Sequence, residues 1–209
     1  MRKYKYPRTP HFSFSEGCSS DDKMLEDDGI FEGKEVVVTI KMDGENTTIY
    51  NDGTFHARSI DSLHRDYHSW LAAFVPTFAY KLPDNIRMCA EYLYAKHSIA
   101  YDDLPSYLLC FSLWENEKCL SWNDTVQICK EVGVEKVPVL YKGLFDLNLI
   151  KHLANSAVQS GQEGIVVRLA DSFQMKDFSK SVAKYVRKNH VQTDGHWAHR
   201  KIDKNKLRK

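Results

Sequence analysis

An apolar run from Val36 to Ile40 leads directly into the segment Lys41-Met42-Asp43-Gly44-Glu45. β-Branched residues favour a strand, and the dipeptide Asp-Gly is a strong signal for a tight turn after it. The pattern predicts that Lys41 lies where a strand ends, a position suited to a nucleophile. A lysine attacks only as the neutral amine, and its ordinary pKa is about 10.4. Neighbouring cations or a metal must therefore favour the neutral form, and the basic candidates are Arg58, Lys184 and Arg187.

Composition excludes several other classes of protein. Hydrophobic residues make up 43% of the 209 residues, enough for a substantial core. No apolar run approaches the roughly 20 residues that span a bilayer, and the basic start of the chain, residues 1–6, lacks the apolar stretch of a secretory signal. We therefore expect a cytoplasmic protein with no membrane partner.

The cysteines are odd in number, five in all, and none are spaced as Cys-x-x-Cys. The nine histidines show no ligand spacing either. This usage predicts buried, reduced thiols rather than a disulfide framework or a zinc site.

Hydrophobic periodicity and turn residues predict an α+β fold of mostly antiparallel sheets with flanking helices. No repeat or linker divides the chain, so we expect a single domain over residues 1–209. The expected strands are 35–41, 47–50 and 54–58 as a three-stranded meander, then 86–93, 107–114, 137–141, 164–169 and 181–186. The expected helices are 64–80, 121–133, 146–161 and a short piece near Phe173. Ser121 is expected to begin the second helix and Gly133 to end it, Asp146 is the expected N-cap of the third, and the aromatic and aliphatic stripe of 64–80 is expected to be core.

Four further motifs follow Lys41 in a fixed order along the chain. They are Arg58 in His-Ala-Arg-Ser, Glu91 in Ala-Glu-Tyr, Glu163 in Glu-Gly-Ile-Val-Val and Lys184 in Ala-Lys-Tyr-Val-Arg. Each motif alone is common, but five in this order over one domain are rare. From Val36 to about Arg187, the chain resembles the ATP-dependent RNA ligases of the bacteriophage RNA ligase 2 type, within the covalent nucleotidyltransferase superfamily.

The resemblance implies a nucleotidyltransferase domain, ATP-grasp-like in architecture, and a role for each motif. Lys41 would accept AMP from ATP, Glu163 would bind Mg²⁺, with Mn²⁺ as a substitute, and Lys184 would hold the α-phosphate. Lys41, Glu163 and Lys184 are thus the expected catalytic residues. The nucleotide-binding residues are expected to be Thr39, Ile40, Lys41, Arg58, Glu91, Phe111, Lys184 and Arg187. Glu91 is expected to hold a ribose hydroxyl or a second metal, and Phe111 to stack on the adenine.

The chain departs from the family pattern at two places. Val186 stands where the last motif has a second lysine, which leaves Arg187 or Lys188 as the second phosphate-contacting cation. Family members commonly carry a further C-terminal domain, whereas only a short basic extension, residues 188–209, follows here, with no room for an OB-fold. Its cations, between Arg200 and Lys209, are expected to form either a solvated end or an arm that contacts phosphates. Deleting residues 200–209 is then expected to spare adenylylation.

The function implied by this resemblance is ATP-dependent ligation of RNA 3′-hydroxyl and 5′-phosphate ends through a lysyl-AMP intermediate. The alternatives are a DNA ligase, a capping-type guanylyltransferase core, or a degenerate ligase that only binds RNA ends. A partner protein that supplies part of the RNA binding is a further alternative. The proline-rich run from Tyr6 to Phe14 is expected to pack across the sheet or to contact RNA.

Overall fold

Two antiparallel sheets organise the part of the chain that the computed structural model describes, residues 2–62, 65–188 and 202–209. The first sheet has the strand order β10-β8-β1-β7, and the second has the order β3-β2-β4-β5-β6-β9. This arrangement confirms the predicted α+β class. The strands are β1 (Glu35–Lys41), β2 (Glu45–Tyr50), β3 (Phe55–Ala57), β4 (Ile86–Tyr92), β5 (Leu108–Glu115), β6 (Lys118–Cys119), β7 (Val139–Leu144), β8 (Gly164–Leu169), β9 (Phe173–Gln174) and β10 (Val182–Val186).

Strand β1 lies inside the first sheet, between β8 and β7. The predicted meander is therefore wrong in its first step, since β1 and β2 belong to different sheets, while the β2–β3 hairpin is confirmed. Val36, Val37 and Val38 are all fully buried, and a strand that is apolar on both faces needs cover on both sides. Asp43 and Gly44 thus carry the chain across to the second sheet instead of turning it back.

Two of the predicted helices are confirmed, together with their capping residues. They are α2 (Trp122–Val132) and α3 (Leu147–Gln159). The Ser121 hydroxyl accepts a hydrogen bond from the backbone of Asp124, and the Asp146 carboxylate accepts one from the backbone of Leu149. Gly133 ends α2 in the left-handed conformation, with φ of 78°, as expected for a C-terminal glycine. Within the described residues, no helix has the length and apolar character needed to cross a bilayer.

The expected helix over residues 64–80 is wrong in its extent. His64 lies outside the described residues, and the rest forms a short helix, α1 (Ser69–Phe74), between the 3₁₀ turns Asp66–His68, Val75–Thr77 and Ala79–Lys81. Pro76 lacks the backbone N–H that a continuous helix requires. The aromatic and aliphatic stripe is core as predicted, with Leu71, Val75 and Phe78 buried. The piece near Phe173 is strand β9, followed by the 3₁₀ turn Met175–Lys180.

The N-terminal run from Tyr6 to Phe14 packs on the first sheet. Packing across the sheet was one of the two alternatives expected for it. His11 forms a parallel bridge with Lys184, the central residue of β10. The Lys184 N–H donates to the Pro10 carbonyl at 2.9 Å, and the Phe12 N–H donates to the Lys184 carbonyl at 2.9 Å. The segment therefore covers the edge of β10 that would otherwise be open.

Gly164 provides a test of how tightly the first sheet is packed at its edge. A Cβ atom added there would lie 1.9 Å from the Tyr185 carbonyl oxygen, so Gly164→Ala must push β8 and β10 apart. We expect the free energy of unfolding to fall by about 3 kcal/mol, measured by chemical denaturation.

Gly53→Ala is the matched control. Gly53 has φ of 82° and no neighbour within 4 Å of an added Cβ, so only backbone strain applies, at about 1 kcal/mol. Equal losses in the two variants would contradict the packing argument.

Candidate active site

Lys41 and Glu163 form the shortest contact of the site. The Lys41 Nζ lies 2.6 Å from Glu163 Oε2, and the two side chains are 24% and 7% exposed. Lys41 is the last residue of β1 and pairs in register with Gly164, the residue after Glu163. The antiparallel pairing of β1 with β8 therefore brings together two predicted catalytic residues that are far apart in sequence.

Glu91 approaches the same lysine from the second sheet. It lies on β4, and its Oε1 accepts a hydrogen bond from the Gly44 N–H at 3.2 Å. Burial raises the pKa of Glu91 to about 8, against the opposing pull of the Lys41 ammonium. The predicted metal ligands, Glu91 and Glu163, thus face one cation from two sheets.

The charge state of Lys41 differs from the expectation that neighbouring cations favour the neutral amine. Burial lowers the pKa of Lys41, but the carboxylates of Glu163 and Glu91 raise it by more, so that its pKa lies above the ordinary value. In this arrangement Lys41 is an ammonium. An ammonium has no lone pair with which to attack, so the predicted role of Lys41 as a nucleophile would require another cation to take over the two carboxylates.

Arg58 and Lys184 line the same cavity as Lys41. Burial lowers the pKa of both groups, and the next largest influences are Arg8 on Arg58 and Lys41 on Lys184. Like charges brought together in this way need an anion to balance them, and phosphate oxygens are suited to that role.

Three other predicted nucleotide-binding residues, Thr39, Ile40 and Phe111, also line this cavity. Phe111 packs edge-on against Tyr6 of the N-terminal run, with ring centroids 5.3 Å apart. The Tyr6 carbonyl lies 3.5 Å from Arg58 Nε. The N-terminal run therefore forms part of the cavity wall, which its sequence did not reveal.

Arg187 does not line the cavity. Strand β10 ends at Val186, one residue before it, and the Arg187 N–H donates to the Glu163 carbonyl at 3.0 Å. The backbone of Arg187 thus holds Glu163 in place, while a phosphate contact by its side chain stays a prediction.

Sequence reasoning missed an anchoring cluster around Glu45. Its carboxylate accepts a hydrogen bond from the Tyr67 hydroxyl at 2.9 Å and lies 2.7 Å from His68 Nε2. The only signal was that Glu45 directly follows the Lys-x-Asp-Gly motif. This cluster ties the start of β2 to the turns before α1.

The loop between β4 and β5 also contributes residues that the sequence did not single out. The Asp43 carboxylate accepts hydrogen bonds from the Ser98 and Ile99 N–H groups, both at 2.7 Å. Burial lowers the pKa of His97, and the nearby carboxylates of Asp43 and Glu45 oppose that effect. The loop thus lies against the turn that follows Lys41.

The basic C-terminal extension is docked on the protein over its described part. Arg200 and Lys201 lie outside the described residues. Lys206 pairs with Asp102 at 3.1 Å, and Arg208 pairs with Asp103 at 2.8 Å. Residues 203–208 are therefore docked through their backbone and not frayed, while their cations are exposed to solvent, and the phosphate-contacting arm stays a prediction.

One trio of metal-capable side chains comes together although its spacing gave no sign of it. His11, Cys18 and Asp22 have donor atoms within 4.8 Å of one another. The Asp22 carboxylate also accepts hydrogen bonds from Ser19, and none of the trio lines the Lys41 cavity.

All five cysteines are free thiols, four of them buried, as predicted.

Comparison with known families bears on this arrangement of residues. The sequence profile of the RNA ligase family matches residues 34–186, well over half of the chain. The chain belongs to the RNA ligase family. The match spans every motif from Lys41 to Lys184 and does not specify the phage subtype, which stays a prediction. A search of curated proteins found no match.

Solved structures with the same fold are ligases. A protein from Aquifex aeolicus described as an ATP-dependent DNA ligase has a TM-score of 0.61 and 17% identity over 90% of this chain and 51% of its own. An archaeal ATP-dependent RNA ligase has a TM-score of 0.57 and 16% identity over 87% of this chain and 48% of its own. A Naegleria gruberi RNA ligase variant with ATP and Mn has a TM-score of 0.58 and 15% identity over 91% and 64%.

At identities this low, the likeness shows a shared ligase fold of the nucleotidyltransferase type. The chain spans about half to two-thirds of the length of these structures. The site residues therefore have to be tested in this chain.

The Lys41–Glu163 pair can be tested by its contribution to stability. Lys41→Met leaves the buried Glu163 carboxylate without its ammonium, so Glu163→Gln should cost far less in that background than in the wild type. We expect a coupling free energy of about 2 kcal/mol, below that of fully buried pairs because Lys41 is partly exposed. Chemical denaturation of the four proteins measures it.

The exposed pair of Lys142 and Glu35, 3.7 Å apart, is the matched control. The corresponding cycle, Lys142→Met with Glu35→Gln, should give less than about 1 kcal/mol. Similar coupling in both cycles would mean that the site pair is an ordinary surface contact.

Proposed function

We propose that this protein is an ATP-dependent RNA ligase that joins RNA 3′-hydroxyl and 5′-phosphate ends through an AMP adduct on Lys41. The observation that carries the proposal is one cavity, lined by Lys41, Glu91 and Lys184, in a member of the RNA ligase family. Residues 1–209 are proposed to act as one nucleotidyltransferase domain. The ATP and Mn of the Naegleria gruberi ligase support the same choice of cofactors here, ATP with Mg²⁺ or Mn²⁺.

Each group in the cavity suits a task in this chemistry. The Lys41 amine attacks the α-phosphorus of ATP, the bond to pyrophosphate breaks, and a P–N bond forms. Negative charge spreads over the phosphate oxygens, which Lys184 and Arg58 are placed to neutralise. The AMP then passes to an RNA 5′-phosphate, and an RNA 3′-hydroxyl displaces it.

Glu163 and Glu91 fit a divalent cation. Glu163 is buried and Glu91 is half-buried, and both supply carboxylate oxygens, the donors that Mg²⁺ and Mn²⁺ prefer. A cation held there would supply the positive charge that turns Lys41 from an ammonium into a neutral amine. Without it, the two carboxylates hold the Lys41 proton in place.

The first prediction from this proposed chemistry is covalent labelling of Lys41. Incubated with α-labelled ATP and Mg²⁺, the wild type should carry label through a denaturing gel, and Lys41→Ala should carry none because the nucleophile is absent. Lys118→Ala, an exposed lysine on β6, is the control and should label fully. Label on Lys41→Ala, or labelling of the wild type by GTP alone, would rule the assignment out.

The second prediction concerns the metal ligand. Glu163→Gln keeps the size of the side chain but removes the charge, so we expect adenylylation to fall by about 10²-fold or more at millimolar Mg²⁺. Circular dichroism should show the fold intact. Wild-type labelling in this variant would remove Glu163 from the site.

A joining assay separates the alternative functions. Pre-adenylylated enzyme is mixed with nicked duplexes that have either RNA or DNA on both sides of the nick. We expect sealing of the RNA nick to be the faster, because the family is that of RNA ligases. Preferential sealing of DNA would favour a DNA ligase, and labelling without any joining would favour a core that has lost its ligase activity.

A further inference from the structure

The C-terminal residues 203–208, here called the clasp, bind the loop of residues 94–104 that connects β4 to β5. The contacts are made by backbone groups at both ends of the loop. They run from Lys96 N–H to Asp203 O at 2.8 Å, from Asn205 N–H to Tyr94 O at 3.0 Å, from Lys206 N–H to Tyr101 O at 2.8 Å, from Leu104 N–H to Lys206 O at 3.0 Å and from Arg208 N–H to Leu104 O at 2.8 Å. The loop has no helix or strand of its own, so the clasp supplies most of its backbone order.

Asn205 is the centre of the clasp. It is 2% exposed, and its amide Nδ2 donates to the Leu93 carbonyl at 2.8 Å while its Oδ1 accepts from the Tyr101 N–H at 2.9 Å. The Tyr107 hydroxyl donates to the Asn205 carbonyl at 2.9 Å. A single buried side chain therefore joins the start of the loop to its middle.

The loop in turn holds Asp43, two residues after Lys41. The Ser98 and Ile99 N–H groups both donate to Asp43 Oδ2 at 2.7 Å. The Asp43 N–H donates to the Tyr101 hydroxyl at 2.9 Å. Tyr101 thus contacts Asn205 through its backbone and Asp43 through its side chain.

We propose that Asn205 is a positioning residue for Lys41, which it orients through the 94–104 loop and Asp43. The proposal rests on the proposed function, since it assigns Asn205 a part in forming the AMP adduct. An irregular loop pays a large conformational entropy to adopt one shape, and an unpaired buried amide is costly. Without Asn205 the loop samples other shapes, and the turn after Lys41 loses its fixed geometry.

The expected effect falls on the rate of the chemical step. A displacement of about 1 Å at a reacting group can slow a reaction by about 10²-fold. We expect Asn205→Ala to slow single-turnover adenylylation at saturating ATP by about 10- to 100-fold, with a smaller change in the ATP concentration that gives half the maximal rate. Deleting residues 200–209 removes Asn205 and is now expected to impair adenylylation.

Two further variants isolate the connection to Asp43. Tyr101→Phe removes only the hydroxyl that accepts from the Asp43 N–H, so it should fold normally and slow the same step. Asp102→Ala is the matched control, because it removes an exposed ion pair of the same loop with Lys206 and should leave the rate unchanged. In an Asp43→Ala background, Asn205→Ala should cause little further loss.

Amide hydrogen exchange provides a readout that is independent of catalysis. In Asn205→Ala, the Ser98 and Ile99 amides should exchange at least about 10-fold faster, while those of the buried strand β1 stay protected. Faster exchange throughout the protein would indicate general destabilisation and would overturn a positioning role.

The outcomes separate this proposal from the proposed function. If the wild type forms no AMP adduct, the proposed function fails and the positioning role of Asn205 fails with it. If the wild type is labelled and Asn205→Ala and Tyr101→Phe react at the wild-type rate, only the role of Asn205 is overturned. Equal losses from Asn205→Ala with and without Asp43 would also overturn it.

Discussion

The contact between the Lys41 ammonium and the Glu163 carboxylate depends on the register of the first sheet. Lys41 ends β1 and pairs with Gly164, the first residue of β8, so this register places Lys41 beside Glu163, the residue before Gly164. The space beside Gly164 admits no side chain, since the Tyr185 carbonyl of β10 occupies it. Close packing of three strands therefore fixes the distance between the proposed nucleophile and the proposed metal ligand.

Charges of both signs surround Lys41. Glu163 and Glu91 lie against Lys41, whereas Arg58 and Lys184 repel the other cations around them. A buried charge without a partner is costly, so the ion pair of Lys41 and Glu163 stabilises the folded site. The same pair keeps the amine protonated. The arrangement thus explains how such a site is stable on its own and why the proposed reaction requires another cation.

Local features of the sequence predicted local structure well. The caps of α2 and α3 can be predicted because Ser121 and Asp146 bond to backbone groups only three residues further along the chain. A separation this short lies within a local sequence motif. The predicted pairing of β1 with β2 was wrong for the opposite reason, since strand pairing is not decided by local sequence. Asp43-Gly44 signals a turn. Whether the chain then turns back or crosses to another sheet depends on which strands pair with β1. In the 64–80 segment, too, the local structure depends on how the apolar side chains pack in the core, and it is not one continuous helix.

The sequence by itself determined which chemical groups are present and in what order, and it placed Lys41 at the end of a strand, because strand and turn propensities act over a few residues. It could not determine which groups meet. Lys41 and Glu163 are 122 residues apart, Asn205 bonds to Leu93 over 112 residues, and Tyr6, near the start of the chain, packs against Phe111, near its middle. Such contacts leave no periodic signal, since each depends on how separately folded segments pack together. Only the tertiary structure therefore decided the protonation of Lys41, the wall of the cavity and the role of the C-terminal residues in holding the loop beside it.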